Sequence, residues 1–171
     1  MKSIKILFLS LMICSVSAFA VKGDSFLDVA PAISFVGQSN LKQPNYGLSL
    51  GYMFGVNDRT DLSIYGDVYI GQSDFVGVEK YLSTSVGFRS YFTPYYGDIR
   101  PMFGLGMGMS YQKQGKLIDN ALFKASAHAR ILYDASDVIK IFTEFEPSIY
   151  IGTDPHMDFA IHIGAQLRLG S

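Results

Sequence analysis

The chain has 171 residues, with 14 Lys and Arg against 15 Asp and Glu, and one cysteine, Cys14. This charge balance supplies no field for gripping nucleic acid, and one cysteine allows neither a disulfide nor a thiolate metal site. The length suits one domain, rich in Phe, Tyr and Gly and without Trp.

Residues 1–20 read as a secretory signal peptide. Lys2 and Lys5 make a basic start, Ile6 to Ile13 an apolar centre, and Ala18-Phe19-Ala20 a small-x-small cleavage site. A transmembrane anchor fits less well, because the apolar core is short and punctuated by Ser10, Ser15 and Ser17. A lipoprotein cleavage at Cys14 would want a small residue where Ile13 stands. The mature domain, residues 21–171, then carries 12 basic and 15 acidic residues, a net charge of −3.

Eight stretches of the mature chain alternate apolar and polar residues, the period of a strand with one dry and one wet face. In chain order the dry phases are Leu27/Val29/Pro31/Ile33/Phe35, Tyr46/Leu48/Leu50/Tyr52/Phe54, Leu62/Ile64/Gly66/Val68/Ile70 and Leu82/Thr84/Val86/Phe88/Ser90/Phe92. Then come Ile99/Pro101/Phe103/Leu105/Met107/Met109/Tyr111 and Phe123/Ala125/Ala127/Ala129/Ile131/Tyr133. Ile139/Ile141/Thr143/Phe145/Pro147/Ile149/Ile151 and Phe159/Ile161/Ile163/Ala165/Leu167/Leu169 complete the set. None of these 47 positions is charged, although 17% of the chain is. A dry face that never admits charge, repeated around a small protein, predicts an exterior turned toward lipid. No stretch after residue 20 matches the roughly 20-residue apolar run of a membrane helix, whereas alternation of this kind suits a membrane β-barrel.

Connections alternate in character. Gly55–Arg59, Thr93–Asp98 and Asp134–Asp137 read as tight polar turns; Gly37–Asn45, Gln72–Lys80, Gln112–Asn120 and Gly152–His156 read as longer loops. Short turns on one rim and loops on the other predict an antiparallel up-and-down transmembrane β-barrel of eight strands, with both termini on the turn side. At about 10 residues per spanning strand, eight strands use the mature chain and ten would leave nothing for loops. Phe35, Tyr46, Tyr69, Tyr81, Tyr111, Phe123 and Tyr150 fall toward the loop rim as one aromatic girdle. Tyr52, Phe54, Phe92, Tyr95, Tyr96 and Tyr133 form its counterpart at the turn rim.

The inward phase gathers the strands' ionisable groups: Asp28, Asp61, Asp67, Glu144, Glu146 and Asp158 against Arg89, Arg100, Lys124, Arg130, Lys140 and Arg168. Buried charges persist only when paired. An interior charge network of Asp67, Arg89, Arg100, Arg130, Lys140, Glu144, Glu146 and Arg168 is therefore expected, in a lumen plugged further by Tyr65, Tyr69, Tyr91 and Phe142. Glu144 and Glu146 share a face, yet neighbouring cations argue for salt bridges over acid–base catalysis. His128 and His162 face inward and His156 lies in the last loop, without the spacing of a metal site; no metal or cofactor is expected. Ser126 and His128 share the inward face with Lys124 and Arg130, which favours interior hydrogen bonding over a hydrolase. Gly104, Gly106 and Gly108 lack the Lys-Ser/Thr of a phosphate loop and leave room for Arg89 and Tyr91.

The run Arg100-Pro101-Met102-Phe103-Gly104-Leu105-Gly106-Met107-Gly108-Met109-Ser110-Tyr111 resembles the glycine-alternating strand of the outer membrane protein β-barrel domain family, the OmpA/OmpX-like eight-stranded barrels. The last strand resembles that family's C-terminal assembly signal, with Gly164 followed by Leu167 and Leu169. It departs by ending Leu169-Gly170-Ser171 rather than on Phe or Trp. The resemblance implies residence in the outer membrane of a Gram-negative bacterium, contact with its lipids, and the barrel-assembly machinery as a partner during insertion. The expected function is non-enzymatic: envelope integrity, adhesion, or binding of a surface ligand or host protein through residues 37–45, 72–80 and 112–120. Two alternatives stay open. One is a barrel enzyme acting on lipid A or phospholipid; the other is a soluble periplasmic barrel holding an apolar ligand, with the dry phase inside.

Overall fold

The computed structural model describes residues 24–36, 44–71, 81–95, 97–114, 118–153 and 155–170. The signal-peptide reading of residues 1–20 and most of the first two loops lie outside them.

Eight strands follow in order: β1 Ser25–Val36, β2 Asn45–Asn57, β3 Thr60–Gly71, β4 Tyr81–Phe92, β5 Ile99–Gln114, β6 Ile118–Asp134, β7 Ile139–Ile151 and β8 His156–Gly170. Each pairs antiparallel with its neighbour, and β1 returns to β8, closing the barrel. Closure matters in lipid, because an open sheet edge would leave backbone N–H and C=O groups with no partner.

Register aligns the dry phases across the sheet. Gly66, Val86 and Met109 are successive partners, as are Thr143 and Ile163. These residues look outward: Leu105 is 72% exposed, Val86 53% and Ile141 49%. The polar phase is sealed, with Glu146 0%, Lys124 1% and Asp67 1% exposed. This orientation overturns the soluble-barrel alternative, which needs the dry phase inside.

The lumen is filled in tiers. Toward the turn rim, Phe26, Ala30, Met53, Tyr91, Met102, Leu132 and Phe142 pack as an apolar cluster. A cavity of about 80 Å³ lies there among Phe26, Met53, Asp61, Met102, Leu132 and Lys140, room for a few waters at most. Charged groups occupy the middle, and Ala32, Tyr69 and Ala160 cluster nearer the loops.

Four local expectations need correction. The turn after β2 is tighter than Gly55–Arg59: pairing continues through a register shift to Asn57↔Thr60. Asn57 Oδ1 accepts the Arg59 amide at 2.9 Å, the local bond with which Asn replaces a backbone turn. The segment 112–120 is mostly strand, because Gln112↔Asn120, Lys113↔Asp119 and Gln114↔Ile118 extend the ladder. Tyr69 and Tyr150 belong to the lumen rather than the girdle; each is buried in the phase of Asp67 and Ser148. Phe54 keeps its outward register opposite Ser25 and Leu62 but is buried, its ring 6.2 Å from that of Tyr52.

Candidate functional site

Period two sets Lys124, Ser126, His128 and Arg130 in one inward column on β6. It does the same for Glu144, Glu146 and Ser148 on β7. Register brings the columns together, with Ser126↔Ser148 and Arg130↔Glu144 as partners and Glu144↔His162 on the far side of β7.

Two linked cells result. In the first, Glu146 receives Lys124 Nζ at 2.6 Å, Arg89 Nη2 at 3.0 Å and the Ser148 hydroxyl at 3.0 Å. Asp67 takes the other side of the same cations, Arg89 at 3.0 Å and Lys124 at 3.1 Å, with the Ser49 hydroxyl at 2.6 Å. His162 Nε2 lies 3.1 Å from Glu146 and 3.4 Å from the Tyr69 hydroxyl. In the second cell, Glu144 receives Arg130 Nε, the Tyr91 hydroxyl at 2.9 Å and His128 Nδ1 at 2.9 Å. Arg130 also reaches Asp28 at 2.7 Å, whose other oxygen accepts Gln166 Nε2 at 2.9 Å. The guanidinium of Arg89 lies 3.7 Å from the centre of the Tyr65 ring, and that of Arg130 4.0 Å from Phe142. These faces replace part of the lost hydration of the cations.

Four buried carboxylates, on Asp28, Asp67, Glu144 and Glu146, thus meet three permanent cations, on Arg89, Lys124 and Arg130. Hydroxyl, amide and imidazole donors complete their shells. Desolvating such charges is costly, and dense mutual pairing is what offsets it.

The structure assembles Asp67, Arg89, Arg130, Glu144 and Glu146 of the expected network, and separates Arg100, Lys140 and Arg168 from it. These three sit near strand ends, where turn and terminal carboxylates are closer than the lumen acids. Arg100 pairs with both oxygens of Asp134, and Arg168 with Asp24 at 2.6 Å. Lys140 Nζ lies 4.0 Å from Asp134 and 4.2 Å from the centre of the Phe26 ring. Conversely, Lys124, Asp28, His128 and His162 join the network. Their inward phase was legible, but the register that gives them partners was not.

His128, Glu144 and Glu146 bring ligand atoms within 4.8 Å of one another, a convergence that spacing in the chain did not reveal. Arg130, Arg89 and Lys124 already contact both carboxylates, so side chains supply the positive charge a metal would bring. Asp61 lines the turn-side cavity. Asp158 lies at the loop end, 3.9 Å from His156.

Gly164 of the assembly-signal pattern faces the β1–β8 seam. A side chain there would meet Ala30 Cβ at 2.5 Å, so close strand approach requires glycine. Leu167 and Leu169 keep the outward phase, and Leu169 is exposed.

No family model matches the chain, and no curated protein matches it. Solved structures do match. Neisserial surface protein A superposes with a TM-score of 0.67 at 8% identity, over 85% of this chain and 96% of its own. Ail, the attachment invasion locus protein of Yersinia pestis, gives 0.55 at 14% identity, over 86% and 99%. The outer membrane enzyme PagL gives 0.56 at 15% identity, over 82% and 98%. The fold is therefore that of the eight-stranded outer-membrane barrels, a group that holds surface proteins and an enzyme alike.

Proposed function

We propose that this chain is a non-enzymatic barrel of the bacterial outer membrane with a plugged polar lumen, acting in envelope structure or surface interaction. The observation that carries the reading is the pairing of an uncharged, exposed apolar exterior with a sealed interior whose charges are paired with one another. Such an exterior is soluble in acyl chains and not in water. Surface contacts fall to residues 37–45 and 72–80 and to the β5–β6 hairpin, and Gly164, Leu167 and Leu169 serve recognition by the assembly machinery. An enzyme attacking lipid A or phospholipid would need its nucleophile on the lipid side, whereas Ser126, His128 and Glu144 face the lumen.

Membrane fractionation followed by electrophoresis with and without boiling tests the proposal. The protein should sediment with outer membranes, and the unboiled form should migrate differently from the boiled one. Recovery as a soluble monomer without detergent would overturn it.

A further inference from the structure

We propose that Ser126 is an activated nucleophile inside the lumen that takes one acyl group from a small ester without turnover, which leaves the non-enzymatic role above in place. Ser126 Oγ lies 2.8 Å from His128 Nε2, and His128 Nδ1 lies 2.9 Å from Glu144 Oε1. A carboxylate can only accept, so Nδ1 donates to Glu144. In the neutral ring, Nε2 then accepts the serine hydroxyl proton. Nucleophile, base and orienting acid stand in the order that activates serine in unrelated hydrolase folds, where geometry and not chain position defines the set. Glu144 itself is fixed by Arg130 and Tyr91, so the imidazole is held in one orientation.

Two further features belong to this group. Gly106, the β5 partner of Ser126, has no side chain. A Cβ there would fall 2.5 Å from Ser126 Oγ, 2.7 Å from His128 Nε2 and 3.3 Å from Arg89 Cγ. The hydroxyl and the ring nitrogen already occupy the place a side chain would take, so their pairing depends on glycine at 106. Arg89 spends Nη2 on Asp67 and Glu146, while its buried Nε has no hydrogen-bond partner among the described residues. Arg89 lies across Gly106 from Ser126, and a cationic donor on that side suits an oxygen that becomes negative as a carbonyl is attacked. Ser126 is the most exposed member of the set, at 7% against 3% for His128 and 1% for Glu144, and the proposal is therefore confined to small esters.

In the proposed step, Ser126 Oγ bonds to the ester carbonyl carbon while its proton passes to His128 Nε2. The ester C–O bond then breaks, and the leaving alcohol departs with that proton. The products are acyl-Ser126 and the free alcohol.

The test treats the folded barrel in detergent with p-nitrophenyl acetate, following nitrophenol release, intact mass and the modified peptide. One acetyl group on Ser126, present in the folded protein and absent after boiling, is expected. Ser126→Ala should abolish it, and His128→Ala should slow it by about 10²–10⁴-fold, the usual contribution of a general base. Glu144 acts as a positioning residue: Glu144→Asp should restore much of the rate that Glu144→Gln loses. Electrophoretic mobility of the unboiled samples identifies variants that remain folded. The wild-type adduct needs no variant at all. Absence of an adduct, an adduct on another residue, or an equal rate in folded Ser126→Ala would overturn the proposal and leave the sealed-barrel reading intact.

Discussion

Lys124 Nζ stands 2.6 Å from Glu146 Oε1, with both side chains almost wholly removed from solvent. Neither charge has water to fall back on, and each is shared, Lys124 with Asp67 and Glu146 with Arg89. Removing one member strands the others.

Glu146→Ala should therefore cost about 3–5 kcal/mol, the penalty for leaving buried cations uncompensated. Denaturant unfolding, read by the electrophoretic shift, measures it. Combining Glu146→Gln with Lys124→Met should cost less than the sum of the single changes, because the two side chains touch.

Rim pairs should behave differently. Arg168 meets Asp24 with both side chains about one third exposed, so Arg168→Ala should cost no more than about 1 kcal/mol. Arg130→Ala, which releases buried Asp28 and Glu144 together, should cost about 3–5 kcal/mol. Equal losses in the same unfolding assay would contradict the separation of rim from lumen.

On the exterior, Val86→Arg should cost about 2–4 kcal/mol in a bilayer, since Val86 lies near the middle of the lipid-facing surface of β4. Its neighbour Ser85 is buried on the other face. A Ser85→Val control should show no comparable dependence on whether the barrel sits in lipid or detergent.

At the closing seam, Gly164→Val would place side-chain atoms 2.4 Å from the Val29 carbonyl oxygen and 2.5 Å from Ala30 Cβ. Overpacking of this kind costs about 1–3 kcal/mol. The expected readout is a smaller fraction of the fast-migrating closed form after refolding, and adding Ala30→Gly should restore little of it, because the clash with the Val29 carbonyl remains.

Much of this architecture was legible because the rule involved is short-ranged. Alternation alone assigns Leu105 outward and Arg89 inward, whatever the rest of the chain does. Partnerships across strands were harder to read. Arg100, Lys140 and Arg168 carry the inward phase, yet height along the barrel axis gives them to Asp134 and Asp24. Phase also cannot distinguish a girdle tyrosine from a lumen tyrosine near a strand end, as Tyr69 and Tyr150 illustrate. The chain Ser126–His128–Glu144 needs the β6–β7 register as well as the local Ser-x-His spacing. Only the second is written in adjacent residues.

The arrangement of counter-ions along the chain bears on how the barrel enters a membrane. Asp67 and Arg89 sit on consecutive strands, and so do the bases of β6 and the acids of β7. Each such hairpin can shed water already electrically matched. Asp28 is the exception, for its arginine lies on β6 and reaches it only across the finished ring. The first strand would thus carry an unmet charge until the ends join, which makes the Asp28–Arg130 contact a latch on completion.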